Sequence, residues 1–262
     1  MSFRTYREVT GPDASRVAEQ VGEQRARVRD RLHTVRRVVA VMSGKGGVGK
    51  SYVTAHLAMA LGRAGRAVGV LDADLNGPTI PGLLGAAGSR VTVRADAVEP
   101  AIGRDGVRCL SMAQLLEDGR PLAFRGPTEE SFVWRGALEA AALRELLGDV
   151  TWGDLDALLV DLPPGLQRFL ELCDFLPAPP EVLTVTIPTP ESRDAVRRAL
   201  RAVIDRGARP IGIVENMVGP EFPGDAGDAL SREFGVPLLG RLPFNPSPDV
   251  WSSLALRVGG SR

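Results

Sequence analysis

Lysine is almost missing from this chain. Of 262 residues, 32 are Lys or Arg, yet lysine stands only at Lys45 and Lys50, and every other basic position is arginine. Arginine serves wherever a cation is merely a cation. The two exceptions fall in one eight-residue stretch, where a compact ammonium on a thin stem is wanted instead of a planar guanidinium. Cysteine is as scarce: Cys109 and Cys173 are the only two, too far apart in sequence to suggest a disulfide framework. His33 and His56 are the only histidines. Each is isolated, and a surface or packing role is expected for both. The formal net charge is zero, so no global field draws in nucleic acid, which is not expected as a partner. No apolar run is long enough to span a bilayer. The first residues are charged, so neither a signal peptide nor a membrane partner is expected, and the cytoplasm is the expected compartment.

The stretch that holds both lysines reads Gly44-Lys45-Gly46-Gly47-Val48-Gly49-Lys50-Ser51, the G-x-x-x-x-G-K-S pattern of a phosphate-binding loop. Its flanks agree. Residues 37–42 are apolar and β-branched, as in a buried parallel strand, and residues 51–62 carry Val53, Leu57, Ala60 and Leu61 near helical spacing. Backbone N–H groups of residues 46–50 are expected to cradle phosphates at the positive end of that helix. Lys50 would reach the β- and γ-phosphates, and Ser51 would place its hydroxyl on Mg²⁺. The nucleotide-binding set expected here is Gly44, Lys45, Gly46, Gly47, Val48, Gly49, Lys50, Ser51 and Tyr52.

The rest of the chain alternates strand and helix patterns. Strands are expected at 66–71, 107–112, 156–162, 182–187, 210–215 and 237–241, and helices at 138–147, 191–205, 225–234 and 248–256, with a hairpin elaboration over 86–108. This alternation predicts an α/β fold: a P-loop NTPase, Rossmann-like three-layer sandwich with a mainly parallel sheet and helices on both faces. Residues 13–31 form a charged helical pattern with a thin apolar stripe. The expected organisation is an N-terminal charged helical extension, 1–32, and a P-loop ATPase domain, 33–262.

Three carboxylates end strands on the side where the ligand would lie. Asp161, after an apolar run, is expected to hold Mg²⁺, directly or through water. Asp72 is expected to join the metal shell. Asp74 is expected to orient the attacking water. Lys45 is unusual, because a phosphate loop needs no lysine at its second position. A cation there would stabilise transition-state charge on its own phosphates or those of a facing subunit. Lys45, Lys50 and Asp74 are the expected catalytic residues, and Ser51, Asp72 and Asp161 the expected metal ligands.

SGKGGVGKS, DADLNGPTIPGLLG, FVWRGAL, DALLVDLPPG, VTIPTPESRDAVRRAL, GIVENM and LPFNP follow one another in this chain. In that order they resemble the Mrp/NBP35 (ApbC) family, a branch of the deviant-Walker P-loop ATPases related to MinD and ParA. The similarity runs over about residues 32 to 250. It implies ATP and Mg²⁺ as cofactors and a homodimer with two ATP molecules at the interface. It also implies that Lys45 crosses to the partner's phosphates, and that adenine contacts come from Asn216 and the segment around Pro243.

Two departures from the family pattern matter. Its iron–sulfur carriers have a C-x-x-C soon after ENM, which across a dimer gives four thiolates for one cluster. Here residues 216–224 contain no cysteine. The family's DLPPG is usually followed by TGD, whereas here Leu166-Gln167-Arg168 follows, in the loop expected to sense the γ-phosphate. Cys109 lies in a strand pattern and Cys173 in an apolar helical stretch. One cysteine from each subunit gives two ligands, too few for an all-thiolate cluster, and an iron–sulfur cluster is not expected on this chain. The expectation is therefore an ATPase of the Mrp/NBP35 type, nucleotide-gated and linked to iron–sulfur cluster or metalloprotein assembly, that does not carry the bridging cluster. It would act as a homodimer, or as a heterodimer with a cysteine-bearing paralogue, on a client metalloprotein. Two alternatives are an iron–sulfur carrier using other ligands and a positioning ATPase of the MinD or ParA kind. The last would need a membrane helix in the 251–258 tail or a basic face built from Arg193, Arg197, Arg198 and Arg201.

Overall fold

A computed structural model describes residues 17–75, 77–89, 91–94, 97–115 and 131–260. Residues 1–16, which include the expected start of the leading helix, lie outside the described residues, as do Asn76 and the side chains of FVWRGAL. In chain order the elements are α1 (Val17–Leu32), β1 (Val38–Ser43), α2 (Lys50–Arg63), β2 (Val68–Asp72), α3 (Ile80–Leu83), β3 (Thr92–Val93), β4 (Val98–Glu99), β5 (Ala101–Ile102), β6 (Arg108–Ser111), α4 (Ser131–Gly148), β7 (Ala157–Asp161), α5 (Gln167–Phe175), β8 (Glu181–Thr186), α6 (Pro190–Asp205), β9 (Arg209–Glu215), α7 (Ala226–Phe234), β10 (Leu238–Arg241) and α8 (Pro248–Gly259).

One eight-stranded sheet runs β10-β9-β8-β1-β7-β2-β6-β5. Every neighbouring pair in it is parallel except the edge strand β5, which is antiparallel to β6. Helices on both faces bury the sheet, so β2 and β7 are buried at every residue and read as unbroken apolar runs. Side chains alternate between faces along each strand. Val39 and Val41 of β1 enter a core with Val53 and Leu57 of α2 and Trp251 and Leu254 of α8. Ala40 and Met42 enter the opposite core with Leu143 of α4, Phe169 of α5 and Val28 of α1.

Some boundaries move from the sequence expectation. The second strand starts at Val68, because Ala67 is held by the Asp156 carboxylate, its N–H 2.9 Å from Oδ2. α6 starts at Pro190, its N-terminus capped by the Thr189 hydroxyl accepting from the Ser192 N–H at 3.3 Å. The 86–108 segment does contain a hairpin, β3 with β4, but also the edge strand β5.

Around the central strand β1 the chain moves to β7 on one side and β8 on the other. This is a switch point of strand order, where α/β folds bind ligands at the carboxyl ends of their strands. Asp72 and Asp161 are register partners on β2 and β7, so the expected carboxylates meet at that edge, beside the loop leaving β1.

Candidate phosphate-binding site

The loop between β1 and α2 has the conformation its glycines allow. Gly47 and Gly49 each have φ of 77°, a left-handed backbone that disfavours other residues. A Cβ on Gly47 would meet nothing within 4 Å, and one on Gly46 only Pro164 Cγ at 3.8 Å, so this side of the loop is an open cradle. The other side is packed. A Cβ on Gly44 would lie 2.5 Å from the Ala195 carbonyl carbon in α6, and one on Gly49 would lie 2.3 Å from Asn216 Nδ2. Ser43 donates its hydroxyl to the Lys45 carbonyl at 2.9 Å, and Asn216 Nδ2 donates to the Val48 carbonyl at 2.9 Å. α2 has no side-chain cap at its N-terminus, which leaves its first N–H groups to an anion.

Lys50, Ser51 and Asp161 converge at the start of α2. Asp161 is fully buried. Its Oδ2 lies 2.7 Å from Lys50 Nζ and accepts from Ser51 Oγ at 2.6 Å, while Oδ1 accepts from Thr54 Oγ1 at 2.7 Å. Thr54 was not among the residues expected from sequence. Its signal is spacing, since a residue three after Ser51 lies on the same helix face. A hydroxyl beside a carboxylate is the hard oxygen donor set that suits Mg²⁺, and Lys50 adds the cation a phosphate needs, so these residues fit Mg²⁺-nucleotide.

Asp72 is buried next to this group. Its Oδ1 accepts from the Asp74 N–H and its Oδ2 from the Ile80 N–H, each at 3.2 Å, which holds Asp74 and the start of α3 to the end of β2. Burial, then the charge of Asp161, raises its pKa to about 7. Asp74 is partly exposed, and its carboxylate accepts from the Gly77 N–H at 3.2 Å. Lys45 is half-buried, and its ammonium has no ion-pair partner among the described residues. The loop after Asp161 abuts the cradle: Gly165 N–H donates to the Ser43 carbonyl at 3.3 Å. In the departure segment Arg168 is buried and paired with Glu171.

Asn216 is buried and binds the loop itself. Its neighbour Met217 has φ of 57°. Val218 N–H donates to the Leu242 carbonyl at 2.9 Å, which ties ENM to the LPFNP segment, where Pro243 is exposed. Sequence reasoning missed Glu215, fully buried at the end of β9, which accepts from the Gly227 N–H at 2.7 Å and from Arg241 Nε at 3.1 Å. Tyr52 packs its ring 4.0 Å from His56, which stacks on Trp251 at 5.0 Å.

The cysteines do not meet. Cys109 belongs to the core on the α2 face of the sheet, and Cys173 packs against the core on the other. Burial, then the Asp72 charge, pushes the Cys109 thiol up to about 12, and burial pushes Cys173 up to about 11. Lying on opposite faces of the sheet, the two thiols of one chain do not come together on one metal. The arginines of α6 are largely matched by acids: Arg197 Nε lies 2.7 Å from Glu233 and its Nη1 2.5 Å from Asp194, and Arg201 lies 3.5 Å from Glu233.

The ParA family model, described as NUBPL iron-transfer P-loop NTPase, matches residues 34–253. The chain belongs to this family, the Mrp/NBP35 P-loop NTPases. Among relatives of this Mrp/NBP35 chain, an iron–sulfur cluster carrier protein of Saccharolobus solfataricus is 35% identical over 247 residues, 90% of this chain and 80% of the relative. The cytosolic Fe-S cluster assembly factor NUBP2 of Bos taurus is 40% identical over 230 residues, 82% of each chain. A nucleotide-binding protein of Archaeoglobus fulgidus, solved in complex with ADP, is similar with a TM-score of 0.69 and 32% identity, over 90% of this chain and 92% of that one. MinD of Pyrococcus horikoshii, solved with Mg-ADP, has a TM-score of 0.57 at 23% identity over 84% of this chain and 94% of that one, a likeness of fold alone. No helix among the described residues is long and apolar enough to cross a membrane.

Proposed function

We propose that this protein is an ATP-binding, Mg²⁺-dependent ATPase of the Mrp/NBP35 family, a nucleotide-gated dimer that acts in iron–sulfur cluster or metalloprotein assembly without carrying the bridging cluster. The observation that carries the nucleotide half is the convergence of Lys50, Ser51 and Asp161 beside an open glycine cradle. The observation that carries the cluster half is the separation of the two cysteines, Cys109 buried on one face of the sheet and Cys173 half-buried on the other.

In this reading each residue has a task. The N–H groups opening α2 bind the phosphate oxygens, and Lys50 places its ammonium against them. Ser51 and Asp161 hold Mg²⁺, whose charge neutralises the phosphates when it is bound. Asp74 orients the attacking water from its partly exposed position at the mouth of the site. Asp72 holds the loop that carries Asp74. Asn216 keeps the cradle in shape from the base side, with the Pro243 segment next to it. Lys45 reaches the phosphates of the facing subunit, a role for which its lack of an ion pair among the described residues leaves it available. The partner is a second copy or a cysteine-bearing paralogue, and the client a metalloprotein.

The test is calorimetric titration of the full chain with ATP and Mg²⁺, together with Lys50→Ala and Ser51→Ala. Binding near one ATP per chain, lost in the first variant and made Mg²⁺-insensitive in the second, supports the assignment. Unchanged affinity in folded Lys50→Ala overturns it.

A further inference from the structure

The edge of the sheet opposite the phosphate loop holds a second concavity. A cavity of about 620 Å³ opens at the amino ends of β1, β2 and β7, between the last turns of α2 and α8. That volume lies within the range of small-molecule sites. It is a separate place from the nucleotide cradle, because α2 begins at the cradle with Lys50 and reaches the cavity only at Leu61, about 16 Å along the axis.

The floor is apolar, made by Val39, Leu61, Val68 and Val258, all buried. The rim is cationic, with Arg36, Arg37 and Arg66 against a single acid, Asp156. Arg37 is committed: its Nε donates to Glu181 at 2.8 Å and its Nη1 to the Val258 carbonyl at 2.9 Å. The other two are not. Arg36 reaches Asp156 at 3.5 Å with 78% of its side chain exposed, and Arg66 reaches the Gly260 carbonyl at 3.5 Å. Both contacts stand at the outer limit of a hydrogen bond. Asp156 has one oxygen occupied by the Ala67 N–H. Two guanidiniums thus keep unused donors over an apolar floor. A guanidinium is suited to a planar oxyanion, which it can grip with two parallel bonds.

We propose that this cavity binds a small amphipathic anion, an apolar body bearing one carboxylate or an equivalent monoanionic head, with the body on the Leu61–Val258 floor and the head between Arg36 and Arg66. The site is independent of the ATPase assignment, so its success or failure leaves that assignment untouched.

The experiment titrates the full chain with 8-anilinonaphthalene-1-sulfonate, followed by fluorescence, with octanoate and its uncharged counterpart octanol as competitors. The expected result is one saturable site per chain, displaced by octanoate far better than by octanol. Arg36→Gln with Arg66→Gln, which removes the charge-assisted bonds of both guanidiniums, is expected to weaken it by about a hundredfold or more, with Tm and ATP affinity unchanged. The absence of a saturable site overturns the proposal. So does a site that keeps its affinity in the folded double variant, or one that octanol empties as well as octanoate.

Discussion

Lys50 and Asp161 form a buried ion pair, Nζ to Oδ2 at 2.7 Å, with side chains 7% and 0% exposed. The same carboxylate accepts from Ser51 and Thr54, so the end of β7 is fastened to the first turn of α2 by three side chains at once. The pair is asymmetric. Without Lys50, Asp161 still has two hydroxyl donors. Without Asp161, Lys50 keeps only Ser51 Oγ at 3.3 Å.

That asymmetry predicts an order of stabilities. Leaving a buried charge unpaired costs about 3–5 kcal/mol. Asp161→Asn should approach that loss and Lys50→Met should lose less. Urea unfolding of both variants checks the order, and equal losses would show that the hydroxyls do not support the carboxylate.

Asn216 reaches the Val48 carbonyl across 168 residues of chain. Asn216→Ala removes a buried bond and should cost about 1 kcal/mol of stability. It should also weaken ATP binding by about tenfold as the cradle loosens. A drop in stability with ATP affinity intact would limit Asn216 to a structural role.

Gly49→Ala meets two obstacles, a φ of 77° and a Cβ 2.3 Å from Asn216 Nδ2. The clash adds about 1–3 kcal/mol to a backbone strain of about 1–2 kcal/mol, and the distorted cradle should bind ATP at least about tenfold more weakly in the protein that still folds. Gly47→Ala shares the φ but has open space, so it should cost only the backbone strain, about 1–2 kcal/mol. Similar unfolding midpoints for the two would contradict the packing described.

Asp72 gives a pH dependence. Its folded pKa, about 7, lies above its ordinary value of 3.8. A group shifted this way binds more protons folded than unfolded, so stability is greatest below the ordinary value and is lost as pH rises through about 7. In the nucleotide-free protein, the fall in unfolding free energy between pH 5 and pH 8 should be smaller in Asp72→Asn than in the wild type. An identical slope in both would show that Asp72 does not titrate in this window.

Much of the fold and the phosphate loop could be read from sequence because their signals are local. Buried parallel strands are continuous apolar runs, and the loop's glycines sit where left-handed backbone or close packing requires them. What could not be read is tertiary. The short helix Ile80–Leu83 contains Pro81, which reads as a breaker, and it is fixed by Asp72 from another element. The clamp of Asn216 on Val48 and the burial of Glu215 under Gly227 depend on strands brought side by side. The α6 arginines suggested a basic face, yet Glu233, which matches two of them, comes from α7.

The measurement closest to the central claim is iron analysis of the anaerobically reconstituted full chain, with ATP binding measured on the same sample. The account predicts about one ATP bound per chain and no stoichiometric iron, unchanged by Cys109→Ala with Cys173→Ala. About four irons per two chains, lost in that double variant, would contradict it.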